Sequence, residues 1–164
     1  CRPRAIIPGP VPVYFWLSHD ERGRGYLSRS LRVYASAFLF ANRPKEALDP
    51  MNKAFKLSPK DPRRFAFLHG KAMILGEMGH LEESVALARE AISTPHGDFR
   101  SALILARYCA ELDLIDEGQR AIGRVLEINP NFTLTKLRES YFAHFDSRIL
   151  ERFIKNLSKL EVPL

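Results

Sequence analysis

The residues of this sequence that could hold a metal ion or move a proton are its histidines, cysteines and carboxylates. None of the five histidines has a second histidine or a cysteine at the spacing of a metal-ligand pair. His96 with Asp98 and His144 with Asp146 come nearest, but an aspartate in such a turn more often caps the following helix. We therefore predict no metal site and no cofactor.

Catalytic arrangements are also missing from the sequence. The glycines of Arg22–Gly25 lack the spacing and the lysine of a phosphate-binding loop. No serine lies in a nucleophile-elbow motif, and no carboxylate pair is placed to hold metal ions against phosphates. We expect this chain not to be an enzyme. Because it begins at Cys1 without a methionine, we interpret it as a piece of a longer protein with room for an upstream catalytic domain; a lipoprotein acylated at Cys1 is the alternative.

The elements that would position any site are helices. From Tyr26 onward, apolar residues recur at spacings of three and four, and no run shows sustained strict alternation. The apolar share of 46% and the charged share of 27% are those of a folded domain rather than a disordered chain. The longest uncharged apolar run, 5–17, is interrupted by prolines and is too short to span a membrane. The sequence predicts an all-α domain without a membrane span.

The first 25 residues differ from the rest. They contain four prolines within the first twelve positions, and residues 1–32 carry a charge of +4 out of the net +6. We predict that 1–25 is a basic, proline-containing arm or linker. Its aromatic cluster, Tyr14, Phe15 and Trp16, would be costly to leave in water, so we expect it to pack on the first helices.

A repeated pattern of small residues, turns and prolines occupies the middle of the chain. The second and third copies are offset by 34 residues at every position except the proline, and the first and second copies by 37. The small residues stand where two antiparallel helices approach closely, and each proline follows a second helix that it cannot extend. The aligned positions are Ala35, Asn42, Glu46, Ala47, Ala54 and Pro59; Ala72, Gly79, Glu83, Ser84, Ala91 and Pro95; and Ala106, Asp113, Glu117, Gly118, Val125 and Pro130.

This pattern resembles the tetratricopeptide repeat (TPR). The resemblance implies a right-handed solenoid of tandem helix-turn-helix units, with repeats at 28–59, 65–97 and 99–132 inside a region 26–132, followed by C-terminal capping helices at 133–164. Three departures are visible. The first-helix aromatic is replaced by Leu31, Leu68 and Ala102; Pro50, which would kink or shorten its helix, lies in a second helix; and the first offset is three residues longer, an excess that we assign to Lys60–Arg64.

A narrower resemblance rests on three stretches. Lys-Leu-Ser-Pro-Lys-Asp-Pro at 56–62, Glu-Ile-Asn-Pro-Asn-Phe-Thr at 127–133 and Leu-Glu-Arg-Phe-Ile-Lys-Asn-Leu at 150–157 are similar to the C-terminal repeat region of bacterial adenylate/guanylate cyclase-like regulators. The resemblance implies a sensory or assembly module behind a catalytic or DNA-binding domain. It implies no catalytic residue in this chain.

Repeat geometry places one side of each first helix along a concave face, which we predict to bind a partner. Its arginines favour an acidic or carboxylate-bearing protein segment, or an adjacent domain of the same polypeptide. The lysine and asparagine clamp of some repeat proteins is absent, and solvated charge is the competing interpretation. The predicted face consists of Arg29, Arg32, Ser36, His69, Met73, Arg100, Leu103 and Arg107.

Two further expectations concern context. Cys1 and Cys109 stand far apart, and Cys109 lies in an apolar helical stretch, so we expect a core cysteine, a reducing compartment and a cytoplasmic location. The leading interpretation of function is a non-catalytic protein-protein interaction or regulatory module. The alternative is a basic nucleic-acid-associated helical repeat, which the absence of an RNA-reading or DNA-reading motif disfavours.

Overall fold

The computed structural model describes residues 21–95, 97–141 and 143–163, and within these ranges the chain is helical with no strand. The helices are α1 (Glu21–Phe40), α2 (Pro44–Leu57), α3 (Arg64–Glu77), α4 (Leu81–Ser93), α5 (Phe99–Glu111), α6 (Ile115–Ile128), the short α7 (Leu134–Lys136), a π-helical turn (Leu137–Tyr141) and α8 (Ser147–Leu157). Arg22–Gly25 lies within α1, so the boundary at residue 25 is not where the described helix begins. The aromatic cluster at 14–16 lies outside the described residues.

Adjacent helices pack in pairs: α1 with α2, α3 with α4 and α5 with α6. The small residues aligned in the sequence lie at these contacts. Ala35, Ala72 and Ala106 have no solvent-exposed surface. The hydroxyl of Ser84 donates a 2.7 Å hydrogen bond to the carbonyl oxygen of Ala72, and a Cβ on Gly118 would lie 3.5 Å from the carbonyl oxygen of Ala106. In the second and third pairs, the residues that sequence alignment assigned to close helix approach therefore face each other.

The same turn joins the two helices of every pair. Asn42, Gly79 and Asp113 have φ values of 56°, 90° and 55°, and no other described residue has a positive φ. At each turn, the N–H of the next residue donates to a carbonyl oxygen five residues earlier; the three bonds are Arg43 to Phe38, His80 to Leu75 and Leu114 to Cys109, at 2.9, 2.9 and 2.8 Å. This is the Schellman motif, which satisfies the last carbonyl groups of the first helix.

The longer first offset has a different origin from the one expected. We assigned its three extra residues to Lys60–Arg64. Instead, α2 and α3 are each one residue longer than α4 and α5, and the connection 58–63 is one residue longer than 94–98. Pro50 is buried inside α2 without shortening it, since α2 and α6 both have 14 residues.

The C-terminal helix α8 does not continue the row of pairs but crosses it. The N–H of Asp146, immediately before α8, donates to the carbonyl oxygen of Phe40 at the end of α1, at 2.8 Å. Farther along, Asn156 Nδ2 donates to Glu111 Oε2 at the end of α5, at 2.7 Å. One helix thus contacts the first and the last of the three pairs.

Candidate functional site

The residues predicted to form a partner-binding face divide into buried and accessible groups. Met73, Leu103 and Arg107 are at most 4% exposed, so their side chains do not offer a surface to a partner in this structure. The Ser36 hydroxyl donates to the carbonyl oxygen of Arg32 in its own helix, at 3.0 Å. The remaining residues of the predicted face, Arg29, Arg32, His69 and Arg100, retain accessible surface.

Four arginines from α1 and from the starts of α3 and α5 form what we call the arginine cluster: Arg29, Arg32, Arg63 and Arg100. Two of them have acidic partners, with Arg29 Nε 3.7 Å from Asp61 Oδ2 and Arg100 Nε 3.4 Å from Asp98 Oδ2. Within the described ranges, Arg32 and Arg63 have no carboxylate within ion-pair distance. The cluster therefore carries more positive than negative charge.

Arg32 shows the effect of this excess most clearly. Its guanidinium is half-buried and lies 5.7 Å from the centre of the Phe67 ring. Burial lowers the pKa of Arg32, and the positive charges of Arg63 and Arg100 lower it further, against the opposing effect of Asp61. An added anion would stabilise the charged guanidinium, so this surface favours a negatively charged ligand.

His69 lies beside the cluster and does not add to its charge. Burial lowers the pKa of His69 to about 4, and Arg100 and Arg32 act in the same direction, while Asp98 opposes them. The imidazole Nδ1 is 3.4 Å from Ser101 Oγ. At neutral pH His69 is uncharged and presents a hydrogen-bonding ring rather than a cation.

Two helix N-termini lie at the arginine cluster and add partial positive charge to it. Arg63 is the N-cap residue of α3, and Arg100 is in the first turn of α5, where the aligned backbone N–H groups carry partial positive charge. Asp98 caps α5 and offsets part of that charge. Arg63 is not among the residues predicted for the partner-binding face, because it precedes the periodic part of α3. Its only signal is the pair of arginines that follows Pro62.

The two aspartates next to histidines act as helix caps, as the sequence predicted. Asp98 accepts a 3.2 Å hydrogen bond from the backbone N–H of Ser101 at the start of α5, and Asp146 accepts a 3.0 Å bond from that of Arg148 at the start of α8. No group of histidine, cysteine and carboxylate side chains in the described ranges is arranged to hold a metal ion.

A shallow depression adjoins the arginine cluster between the first half of α1 and the end of α2. It includes Arg29 of the cluster and the neighbouring Asp61, and adds three more basic side chains and one aromatic ring, those of Arg24, Lys56, Lys60 and Tyr26. The positive surface therefore extends beyond the cluster along the first helix pair.

A buried ion cluster lies at the other end of the same helices. The carboxylate of Glu77, at the end of α3, accepts hydrogen bonds from Arg107 in α5 and Arg152 in α8. Both the Arg107 and the Glu77 side chains are fully buried. The Arg107 guanidinium lies 4.7 Å from the Tyr108 ring centre and 4.6 Å from that of Phe153. Its Nε and Nη1 have no acceptor among the described residues.

This ion cluster explains why Arg107 is not part of the accessible surface. Its predicted position on the partner-binding face rested on repeat alignment alone, and that prediction is wrong for Arg107. The pattern could not show that Glu77 and α8 cover it, because Glu77 is 30 residues from Arg107 and Phe153 belongs to a segment outside the repeats. A buried arginine with one carboxylate partner is instead a structural element of the fold.

Cys109 is a core residue, as expected from its apolar surroundings. It is fully buried in α5, and burial raises the pKa of its thiol to about 11, with Glu117 acting in the same direction. A thiol with a raised pKa is a weak nucleophile and a poor metal ligand at neutral pH.

Because comparison with known proteins gives no match, the function is inferred from the fold and the surface chemistry. No protein-family model, curated protein or solved structure matches this chain. Among the described helices, none has both the length and the apolar character needed to cross a bilayer.

Proposed function

We propose that this chain is a non-catalytic protein-interaction module of the TPR type, which binds an acidic segment of a partner protein, or of an adjacent domain, through the arginine cluster. The single observation that carries the proposal is the cluster itself: four arginines from three helices around two aspartates, with Arg32 and Arg63 lacking a carboxylate partner within the described part of the chain.

Support for the TPR type comes from the regularity of the helix pairs. Three turns, each with a left-handed residue at the same position and with the same Schellman hydrogen bond, recur at spacings of 37 and 34 residues. Small residues at equivalent positions lie at the helix contacts of the second and third pairs. Repeats of this length that stack on one another create the extended surfaces that such proteins use for binding.

The chemistry of the surface favours a carboxylate-bearing ligand. Arginine offers two parallel N–H donors to one carboxylate, which adds directionality to charge attraction. The aspartates beside Arg29 and Arg100 orient these side chains without neutralising the cluster. An extended acidic segment would gain such contacts from several helices at once.

The wider context of the proposal rests on sequence resemblance. From the resemblance of the stretches at 56–62, 127–133 and 150–157, we propose that this module belongs to the C-terminal part of a bacterial cyclase-like signalling protein. The cytoplasmic location is proposed from the cysteine usage. In such a protein the acidic segment would belong to a partner or to the neighbouring domain.

The test is a titration of the chain with a fluorescently labelled, glutamate-rich peptide that has a free carboxyl terminus. The informative variant is Arg63→Glu with Arg100→Glu, because both side chains are exposed and a carboxylate at a helix start is electrostatically favourable to the helix. The matched control is Arg120→Glu with Arg124→Glu, two exposed arginines of α6 whose reversal changes the net charge equally.

We expect the first variant to bind the peptide at least about tenfold more weakly than the unchanged chain, and the control to bind it nearly as well. Equal weakening by both variants would mean that only net charge attracts the peptide, and would refute a specific site. A single-stranded RNA that binds more tightly than the peptide, with steep salt dependence, would favour the nucleic-acid alternative instead.

A further inference from the structure

Each helix pair has a residue at the same position of its turn that is contacted either by the C-terminal helix α8 or by the residue just before α8. Phe40, Glu77 and Glu111 each lie two residues before the positive-φ residue of their turn. Asp146 bonds to the first of them, Arg152 to the second and Asn156 to the third. We call the surface formed by Phe40, Glu77, Arg107 and Glu111 the helix seat. In this structure α8 lies across it.

The charge of the helix seat complements that of α8. Glu77 and Glu111 are acidic, and Asp113 adds a third carboxylate at the end of the row. From α8 and the residues after it come Arg152, the amide of Asn156 and the ammonium of Lys159, whose Nζ is 2.9 Å from Asp113 Oδ1. Arg107 is paired with Glu77, and the remaining charges that α8 meets are carboxylates, which favour a basic helix.

The apolar face of α8 gives the second recognition feature. Ile149, Phe153 and Leu157 follow one another at intervals of four residues, which places them on one side of the helix, and all three are buried. Phe153 also supplies the aromatic ring over which the Arg107 guanidinium lies. A helix suited to this surface is thus amphipathic, with an aromatic residue between two aliphatic ones.

Packing of α8 buries two hydrogen-bond donors of Arg107 that lack acceptors. Arg107 is fully buried beneath it, yet Nε and Nη1 of Arg107 have no acceptor among the described residues. Burying donors without acceptors costs free energy, which offsets part of the gain from the apolar contacts. Phe153 and Leu157 of α8 belong to the same hydrophobic core as the helix pairs, whereas contacts within a pair, such as that between Ser84 and Ala72, do not involve α8.

We propose that the helix seat is a binding site for basic amphipathic helices, that α8 is its internal occupant in this structure, and that a partner helix with the same pattern takes its place in trans. The proposal goes beyond the acidic-segment site. The arginine cluster lies at the starts of α3 and α5, whereas Glu77 and Glu111 end these helices, so each site is testable without the other.

The probe is a fluorescently labelled synthetic peptide covering residues 146–160, titrated against the full chain. Unchanged chain should bind it weakly, because tethered α8 competes at a high effective concentration. The variants Phe153→Ala and Arg152→Ala weaken internal α8 without altering the helix seat. We expect each to bind the peptide at least about tenfold more tightly than the unchanged chain. Arg152→Ala is the milder variant, because that side chain is 45% exposed.

Two controls define the outcome. Lys155→Ala, on the exposed side of α8, should leave peptide affinity unchanged, and a peptide carrying Phe153→Ala should not bind. Equal peptide affinity for Arg152→Ala, Phe153→Ala and the unchanged chain would overturn the proposal. Loss of cooperative thermal unfolding in Arg152→Ala would overturn it as well, because α8 would then be an obligatory part of the fold rather than an exchangeable occupant.

Discussion

Gly76 lies directly beneath the ring of Tyr108: a Cβ at position 76 would come within 2.2 Å of Cε1 and Cζ of Tyr108. The ring is held in place, since the Tyr108 hydroxyl lies 3.1 Å from both the Met73 carbonyl oxygen and Glu77 Oε1. This contact fixes how closely α3 and α5 approach, and so the distance between two repeats.

Gly76→Ala should therefore destabilise the chain although alanine is the better helix former. We expect the free energy of unfolding to fall by about 1–3 kcal/mol, the usual range for overpacking a core. Gly123→Ala is the matched control, because this glycine is exposed in α6 with no atom near its Cβ position, and should stabilise by up to about 1 kcal/mol. Denaturant unfolding measures both. Equal effects of the two substitutions would contradict the close approach.

The left-handed turn residues give a second prediction. Asn42 and Asp113 adopt positive φ values that glycine tolerates better, so Asn42→Gly should leave stability unchanged or raise it by up to about 1 kcal/mol. Asp113→Gly should gain less, because it also removes the exposed ion pair with Lys159. Gly79→Ala at the equivalent turn should lower it by about 1 kcal/mol. Thermal unfolding of the three variants checks this, and a stabilising Gly79→Ala would show that the turn is not left-handed.

Substitution of Glu77 should lower the free energy of unfolding more than most other substitutions. Removing its carboxylate leaves Arg107 charged and buried without a partner, so Glu77→Ala is expected to reduce the free energy of unfolding by about 3–5 kcal/mol. The control is Glu90→Ala, which removes the exposed partner of Arg64 and should change stability by less than about 1 kcal/mol. If Glu77→Ala behaves like Glu90→Ala, the pair is not buried in solution.

The lowered pKa of His69 should make the stability of the chain fall as the pH is lowered. Its pKa is about 4 in the folded chain and near 6.5 unfolded, so the unfolded state takes up the proton first as the pH falls. The contribution of His69 to stability is complete above about pH 6.5 and is lost progressively down to about pH 4. His69→Gln should flatten the stability profile in this window, as measured by urea unfolding at each pH. An unchanged profile would mean that the His69 imidazole is solvated in the folded chain and would contradict the lowered pKa.

The local pattern of the sequence predicted the parts of the fold that depend on local contacts. Helix pairs, turn positions and close-approach residues follow from spacing, because the turn at Gly79 and the contact of Ser84 with Ala72 involve neighbouring segments. The partner-binding face was predicted from repeat alignment, and that alignment could not distinguish accessible Arg100 from buried Arg107.

The path of α8 was not predictable in the same way. Its amphipathic spacing indicated a helix that packs, but nothing in residues 147–157 specifies that the helix crosses three pairs rather than continuing the row. Arg152 and Glu77 are 75 positions apart, and their pairing depends on the completed arrangement of α3, α5 and α8. Long-range ion pairs of this kind have no periodic signature.

The most direct test of the acidic-segment proposal is a reciprocal charge exchange between chain and ligand. The chain with Arg63→Glu and Arg100→Glu would be titrated with the glutamate-rich peptide and with a peptide of the same length in which lysine replaces glutamate. We expect the variant to prefer the lysine peptide, the unchanged chain to prefer the glutamate peptide, and the Arg120→Glu and Arg124→Glu control to keep the glutamate preference. A control that switches preference together with the variant would contradict binding at the arginine cluster.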